Sequence, residues 1–160
     1  LVGISPDGTS IAYVEGGKLL VRSLARIEPT VFATSADPSI VFWSPDSAFI
    51  GYVAGGKLWK APATGGESSV VADIRLQLTG DTSASWCPHG KVVMTTGESG
   101  VMRVSASGGD LTELVPLDKE KEKDLHDATC LPDGNALFVS HVAAIRIRFG
   151  SSPTEAGRNC

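Results

Sequence analysis

Apolar residues along this chain gather into short runs bounded by turn-forming residues, and they do not follow the spacing of an amphipathic helix. The clearest runs are Ile11–Val14, Phe49–Val53 and Ala136–Val139. Short, nearly continuous apolar runs rich in β-branched and aromatic residues are typical of strands covered on both faces of a sheet. The pattern therefore predicts an all-β fold.

A proline-centred turn precedes each of these runs and recurs along the chain. Its four copies are Ser5–Gly8, Ser44–Ser47, Cys87–Gly90 and Leu131–Gly134. Successive turn prolines lie 39, 43 and 44 residues apart. The fixed φ of proline suits the first central position of a type I turn, and glycine suits a left-handed residue that follows it. The turn therefore marks a unit that is repeated four times.

Positions away from the turn also align between the copies. Two residues before the prolines stand Ile4, Trp43, Trp86 and Cys130. Five residues after them stand Ile11, Ile50, Val93 and Leu137, and thirteen residues after them stand Leu19, Leu58, Val101 and Ile145. Because all of these residues are apolar, we expect the first half of the unit to repeat without gaps.

A period near 40 residues with strand-like content is typical of the blades of a β-propeller. In the second copy the pattern predicts strands at residues 39–43, 49–54, 57–62 and 69–73. Glycine pairs separate the predicted strands and are expected to form turns with positive φ. These pairs begin at Gly16, Gly55, Gly65 and Gly108. Neighbouring blades would supply the cover that both faces of each sheet need.

The copies predict a partial propeller over residues 1–149, with blades at about residues 1–35, 36–75, 80–117 and 124–149, and an irregular tail at residues 150–160. Nearly four blades of four antiparallel strands fall short of the roughly six to eight expected for a closed ring. We therefore expect an open arc of a larger ring. The blade faces left exposed at its ends could self-associate.

Charge and composition narrow the possible partners. The formal net charge is −4, and the 14 Lys and Arg residues form no basic stripe, which argues against nucleic acid. No apolar run approaches the roughly 18 residues of a membrane span.

Strand-like sequence begins at Leu1 without a leader pattern, so we expect a piece of a longer protein. The odd set of Cys87, Cys130 and Cys160 lacks paired spacing and predicts free cysteines, the first two buried.

The turn Ser5–Gly8, the run that follows it and the turns beginning at Thr64 and Ser107 resemble TolB-type, WD-like propeller repeats over essentially residues 1–149. A more specific resemblance is carried by the segment Phe42–Leu58 and by the last turn, which follows His126. Both resemble the propeller that is C-terminal to a bacterial serine/threonine protein kinase domain. That resemblance implies an extracytoplasmic sensing or interaction module of a membrane-anchored kinase. The alternatives are the gating propeller of a prolyl-oligopeptidase-like serine hydrolase and a stand-alone periplasmic TolB-like adaptor.

Candidate chemistry within the chain is sparse. The sequence shows no catalytic motif and no His, Cys and carboxylate spacing for a metal, so we expect no enzyme activity in this segment, no metal and no cofactor. His126 and Asp127, next to the first strand of the fourth copy, are the candidate ligand-binding residues. A loop histidine bonded to a nearby turn is the simpler alternative. Trp59 departs from its counterparts Leu20, Met102 and Arg146 and is the candidate partner contact.

Overall fold

The computed structural model describes residues 2–32, 34, 36–75, 82–96, 99–120, 125–131, 133–134, 136–140 and 146–149, the last two segments by their backbone. Fifteen strands are found in this part of the chain. Their bounds are β1 Val2–Ile4, β2 Ser10–Glu15, β3 Lys18–Ser23, β4 Thr30–Phe32, β5 Ile40–Trp43, β6 Phe49–Ala54, β7 Lys57–Pro62, β8 Ser69–Asp73, β9 Ser83–Cys87, β10 Lys91–Thr95, β11 Val101–Ser105, β12 Thr112–Val115, β13 His126–Cys130, β14 Ala136–Ser140 and β15 Arg146–Phe149.

The strands form four antiparallel sheets in chain order, which we call blades 1 to 4. Blade 1 contains β1 to β4, blade 2 contains β5 to β8, blade 3 contains β9 to β12, and blade 4 contains the described strands β13 to β15. The first strand of each blade contacts the first strand of the next, so β1, β5, β9 and β13 form an inner wall. This arrangement confirms the all-β propeller predicted from the repeats.

The strands predicted for the second copy agree with β5 to β8, apart from one residue at the start of β5. The glycine pairs also adopt the predicted backbone. In the turn between β6 and β7, Gly55 has φ 58° and Gly56 has φ 70°. Positive φ at both central residues is the geometry of a two-residue hairpin turn, which glycine adopts without steric cost.

One detail of the predicted repeat register is wrong in blade 3. Trp43 pairs with Ile50 in blade 2, whereas its counterpart Trp86 pairs with Val92 and not with Val93. The turn at Cys87–Gly90 contains a 3₁₀ turn over Pro88–Gly90. It is one residue shorter than its counterpart in blade 2, because Val92 lies six positions after Trp86 whereas Ile50 lies seven positions after Trp43. The third strands of the two blades align as predicted. Met102, the counterpart of Trp59, pairs with Met94 of β10, just as Trp59 pairs with Tyr52 of β6.

The core lies between the blades. Alternate residues of a strand point to opposite faces, so β6 can send Ile50 and Tyr52 towards blade 1 and Val53 towards blade 3. All three side chains are buried. The hydrophobic core between blades 1 and 2 joins Ala12, Leu19, Val21 and Phe32 of blade 1 to Trp43, Ile50, Tyr52 and Ala61 of blade 2. Two-sided burial explains the nearly continuous apolar run that the sequence shows in this strand.

The position two residues before each turn proline carries the contact with the preceding blade. Trp43 donates its indole Nε1–H to the backbone oxygen of Gly3, at a donor–acceptor distance of 3.0 Å. The ring of Trp86 lies 6.3 Å from that of Phe42 in an edge-to-face arrangement, centroid to centroid. We call the face of each blade that carries this position its leading face, and the opposite face its trailing face.

Cys130 occupies the same position in blade 4 and is joined by a disulfide to Cys87 of blade 3. The prediction that these two cysteines are free is therefore wrong. Cys87 ends β9 and Cys130 ends β13, and since the two inner strands are neighbours, their Cα atoms lie 5.3 Å apart despite a separation of 43 residues. The burial predicted for Cys87 is confirmed, because it is 3% exposed, whereas Cys130 is half-buried.

The arc is open at blade 1, as predicted. Ile4, which corresponds to Trp43, is 68% exposed, and Val2 beside it is 72% exposed. No blade covers this leading face within the described part of the chain.

Several sequence predictions fall outside the described residues. These are the irregular tail at residues 150–160 with Cys160, the predicted third-strand position Ile145, and residues 121–124 of the charged segment that precedes blade 4. The blade boundaries proposed from the repeats stay a prediction.

Gly51 sets the packing of blade 2 against blade 3. A Cβ at Gly51 would lie 2.3 Å from two ring atoms of Phe42, which sits on the glycine backbone and is itself buried. We expect Gly51→Ala to lower the free energy of unfolding by about 1 to 3 kcal/mol through overpacking, as measured by urea denaturation.

Gly3→Ala is the matched control for this substitution. Gly3 is also a strand glycine, but its Cβ would meet its nearest neighbour, Trp43, at 3.4 Å. We expect this variant to change the free energy of unfolding by less than about 1 kcal/mol. Equal losses for the two variants would contradict the proposed role of Gly51.

Candidate functional site

A groove of about 630 Å³ opens along the inner wall at the end where the first strands run into the proline turns. Three turn prolines, Pro6, Pro45 and Pro88, contribute to its lining, with Trp43 and Trp86 among the side chains of the wall. The remaining lining residues are Gly3, Ile4, Val41, Phe42, Ala84, Ser85, Cys130 and Leu131. Ser85 carries the polar side chain in this set. The groove is therefore an apolar, aromatic and proline-rich surface shared by all four blades.

Hydrogen bonds within the turns fix the rim of the groove. The hydroxyl of Ser5 donates to Oδ1 of Asp7 at 2.6 Å and accepts the backbone N–H of Ser10 at 2.9 Å. In the next blade, Ser44 donates to Oδ1 of Asp46 at 2.6 Å and accepts the backbone N–H of Phe49 at 2.8 Å. The repeated serine and aspartate therefore stabilise the turn, because the serine hydroxyl and Oδ1 of the aspartate are both bonded within it.

The aspartates of these turns are more acidic than usual. The Ser44 hydroxyl, followed by the backbone N–H of Ala48, lowers the pKa of Asp46 below its ordinary value of 3.8. Ser5 and Thr9 lower the pKa of Asp7 in the same way. A lowered pKa in the folded state contributes stability above pH 3.8, and this contribution is lost as the pH falls through the folded-state pKa.

We expect Ser44→Ala to raise the pKa of Asp46 towards 3.8, because the substitution removes the largest cause of its lowering. The carboxyl carbon resonance of Asp46, followed by NMR as the pH is lowered, measures this change. Asp7 serves as the control in the same spectra, since its partner Ser5 is unchanged. An Asp46 titration curve that is the same in both proteins would contradict the assignment.

Neighbouring turns are also connected to each other. The backbone N–H of Asp7 donates to Oγ of Ser47 in the next turn, at 3.1 Å. Ser47 adopts φ 60°, and its counterpart His89 adopts φ 65°. In blade 3, Cys87 stands at the position of the turn serine of blades 1 and 2. There a disulfide to Cys130 takes the place of the hydrogen bond between serine and aspartate. The rim is thus held across blades 1 and 2 by a hydrogen bond and across blades 3 and 4 by a covalent bond.

His126 and Asp127 lie at the opposite end of the inner wall from this groove. They begin β13, whereas Cys130, which lines the groove, ends it. Four residues of an extended strand span about 13 Å. His126 is half-buried and pairs with Ser140. The two residues are therefore not part of the groove, and their role in ligand binding stays a prediction.

Asp127 has an unusual backbone. It adopts φ 54°, and the register of β13 shifts between His126 and Thr129, which marks a β-bulge. Aspartate tolerates the left-handed region better than most residues. The bulge leaves Asp127 exposed while the next residue, Ala128, is buried and donates its backbone N–H to Oγ of Ser83 at 3.2 Å.

Trp59 is half-buried on the outer side of the interface between blades 1 and 2. Its indole Nε1–H donates to the backbone oxygen of Ala54 at 3.0 Å, and its ring stacks on Tyr52 with centroids 6.2 Å apart. These contacts give Trp59 a packing role within blade 2. Contact with a partner stays a prediction.

Among the described residues, no three His, Cys, Asp or Glu side chains lie close enough together to hold a metal ion. Across the same part of the chain, no helix has the length and apolar character required to cross a bilayer.

Sequence reasoning missed the groove, the serine–aspartate bonds and the disulfide. The aligned copies held a clue to two of them. Serine stands directly before the proline and aspartate directly after it in the first two turns. Cys87 stands directly before one proline and Cys130 two residues before the next, which places both at the same end of neighbouring inner strands. The groove had no such clue, because its apolar lining resembles core.

Comparison with solved structures shows the fold. A TolB protein of Agrobacterium tumefaciens superposes with a TM-score of 0.68 at 17% identity, over 92% of this chain and 57% of that one. The Cps50 (Swd1) β-propeller domain of Myceliophthora thermophila gives a TM-score of 0.71 at 14% identity, over 92% and 50%. A chain of a nidogen/laminin complex gives 0.66 at 10% identity, over 92% and 58%.

These similarities show that the fold of the chain is that of a β-propeller. The chain spans between 50% and 58% of the length of these three structures. No protein-family model matches the sequence. No curated protein matches it either.

Proposed function

We propose that this chain is a non-catalytic propeller scaffold that binds a protein or small ligand through the groove on its inner wall. The observation that carries the proposal is the groove itself, which places three turn prolines and the half-buried Trp86 on one open surface. Grooves of this kind bury apolar groups, and tryptophan rings offer large flat contact areas. Ser85 supplies a polar hydroxyl to this lining, and its Oγ lies 3.3 Å from Oγ1 of Thr129 on the neighbouring inner strand.

An extended peptide segment with apolar or proline residues fits this groove best. The groove is open to solvent along the inner wall, so a chain can lie across the blades. Aromatic-lined grooves of this kind recognise extended proline-rich segments in other domains, where the ligand loses little conformational entropy on binding. The rigid rim described above would similarly limit the entropy lost by the protein.

For the biological context we propose the extracytoplasmic sensor part of a bacterial receptor-like serine/threonine kinase. The sequence resemblance of the second and fourth repeats supports this context. The disulfide between Cys87 and Cys130 supports an oxidising compartment, since structural disulfides persist mainly outside the cytosol.

A stand-alone TolB-like adaptor is the second candidate. It is favoured by the structural similarity to the TolB protein of Agrobacterium tumefaciens. Both candidates assign protein binding to the propeller, and they differ in what the rest of the polypeptide carries. Sequencing the complete gene separates them. Kinase motifs and a membrane span upstream are expected for the sensor, and a signal peptide without a kinase domain would contradict it.

The binding function is tested by panning a phage-displayed library of random peptides against the chain and measuring the affinity of the selected peptides. We expect Ser85→Arg to weaken binding by tenfold or more, about 1.4 kcal/mol, because the larger charged side chain would enter the groove. Ser69→Arg on the exposed start of β8 is the matched control and should leave the affinity unchanged. Equal affinities for the two variants would contradict a site in the groove.

A further inference from the structure

The disulfide between Cys87 and Cys130 lies at the groove end of the inner strands β9 and β13. Cys130 is half-buried and lines the groove, as does the next residue, Leu131. Cys87 is 3% exposed and belongs to the hydrophobic core between blades 3 and 4. One cysteine of the bond is therefore reached from the groove, and the other is enclosed in the core.

The disulfide stands where the earlier blade junctions have noncovalent contacts. Two residues before the turn proline, Trp43 and Trp86 contact the preceding blade, whereas blade 4 has Cys130. The hydroxyl of Ser47 bonds the turn of blade 2 to that of blade 1. The same position in blade 4 is Gly134, which has no hydroxyl. At the groove end, blade 4 therefore depends on the disulfide for the role that a tryptophan ring and a serine play elsewhere.

The opposite end of β13 is held without the disulfide. Ala128 is 2% exposed and donates its backbone N–H to Oγ of Ser83 at 3.2 Å. Leu125, just before β13, is 4% exposed in the same core. Because β13 also pairs with β14, loss of the bond would free the groove end of the strand while the strand stays in its sheet.

We propose that this disulfide is a redox latch of the groove. A dithiol reduces it from the groove side, which releases Cys130 and Leu131 from blade 3 and weakens ligand binding there. The inference rests on the proposed function, because it concerns the same groove. It assigns the disulfide a regulatory role in addition to its contribution to stability.

The reaction is a thiol–disulfide exchange in two steps. A thiolate of the dithiol attacks the sulfur of Cys130, and the Cys87 sulfur leaves as a thiolate and takes up a proton. The second thiol of the dithiol then attacks the mixed disulfide and releases Cys130 as a thiol. Two electrons and two protons pass to the protein, and the dithiol becomes a disulfide.

Reduction would change the groove because Cys130 and Leu131 line it at blade 4. The closed bond holds the Cα atom of Cys130 5.3 Å from that of Cys87 on β9. A ligand that contacts both blades binds this fixed wall without ordering it, and it would have to order the released strand end. We therefore expect the oxidised protein to bind more tightly.

Dithiothreitol added to the Cys160→Ser variant tests the inference, since this variant keeps Cys87 and Cys130 as its cysteines. The probe is a phage-selected peptide whose binding Ser85→Arg weakens. We expect reduction to lower its affinity by tenfold or more, reoxidation to restore it, and the far-UV circular dichroism to stay the same. Amide hydrogen exchange, followed by NMR, should become at least tenfold faster at residues 129–131 and stay unchanged at Ala128.

Cys87→Ser in the Cys160→Ser background is the matched variant. Cys87 does not line the groove, and serine stands at its position in blades 1 and 2, so the lining stays intact while the bond is absent. This variant should bind the peptide as weakly as the reduced protein and should not respond to dithiothreitol. An affinity equal to that of the oxidised protein would overturn the inference.

Three further results would overturn the inference. They are a bond that dithiothreitol fails to reduce in the folded protein, equal exchange rates at residues 129–131 in both redox states, and faster exchange that extends to β6. In the last case the disulfide would only support the fold. If no selected peptide depends on Ser85, the proposed function fails, and the exchange rates alone decide whether the latch exists.

Discussion

Trp43→Ala is expected to lower the free energy of unfolding by about 3 to 5 kcal/mol, the usual cost of truncating a buried tryptophan. Trp43 is 8% exposed and joins β5 of blade 2 to β1 of blade 1 through its ring and its bond to the Gly3 oxygen. Its loss would leave a cavity at the interface and would remove the hydrogen bond to Gly3. Urea denaturation followed by far-UV circular dichroism measures the change.

Ile4→Ala is the matched control, since Ile4 occupies the same repeat position in a blade that no other blade precedes in this structure. Measured at high dilution, it should change the free energy of unfolding by less than about 0.5 kcal/mol, because the side chain is 68% exposed. Trp43→Phe, which keeps a ring but loses the hydrogen bond, should fall between the two. Similar losses for Ile4→Ala and Trp43→Ala would show that the position does not derive its importance from the preceding blade.

Removing the disulfide between Cys87 and Cys130 is expected to cost about 2 to 4 kcal/mol of unfolding free energy, because the bond closes a long loop of the unfolded chain. The two cysteines are 43 residues apart, and the bond joins blade 3 to blade 4. Denaturation of the wild type with and without a phosphine reductant measures this cost without creating a cavity. The double variant Cys87→Ala and Cys130→Ala should show at least the same loss.

Cys160→Ser controls for reactions of the third cysteine and should respond to the reductant as the wild type does. Hydrogen exchange gives a second readout, because loss of the bond should weaken protection in β13 before it weakens protection in β6. A denaturation midpoint that is the same with and without reductant, with both thiols shown to be reduced, would contradict a stabilising role for the disulfide.

The fold could be predicted from the sequence because each blade repeats the same local chemistry. The proline turns, the glycine pairs and the apolar runs such as Phe49–Val53 are properties of neighbouring residues, and they determine hairpins without reference to the rest of the molecule. The openness of the arc followed from counting the repeats. The register of blade 3 is predicted wrongly because its turn is one residue shorter, and the apolar Val93 directly follows the correct position, Val92.

The candidate site depended on contacts between blades, which the sequence does not state directly. The spacing of Cys87 and Cys130 matches no local motif and predicts free thiols, yet neighbouring inner strands bring the two residues together. Trp59 stood out in the alignment, but its bond to the Ala54 oxygen and its stacking on Tyr52 give it a packing role within its own blade. The groove forms only where four inner strands meet.

Amide chemical-shift mapping with a selected peptide tests the binding scaffold most directly. If the groove is the site, the largest shifts will occur at Gly3, at residues 41–43 and 84–86, and at Cys130 and Leu131, all of which line it. Shifts that cluster instead at His126 and Asp127, with none along the groove, would contradict the account and place binding at the opposite end of the inner wall.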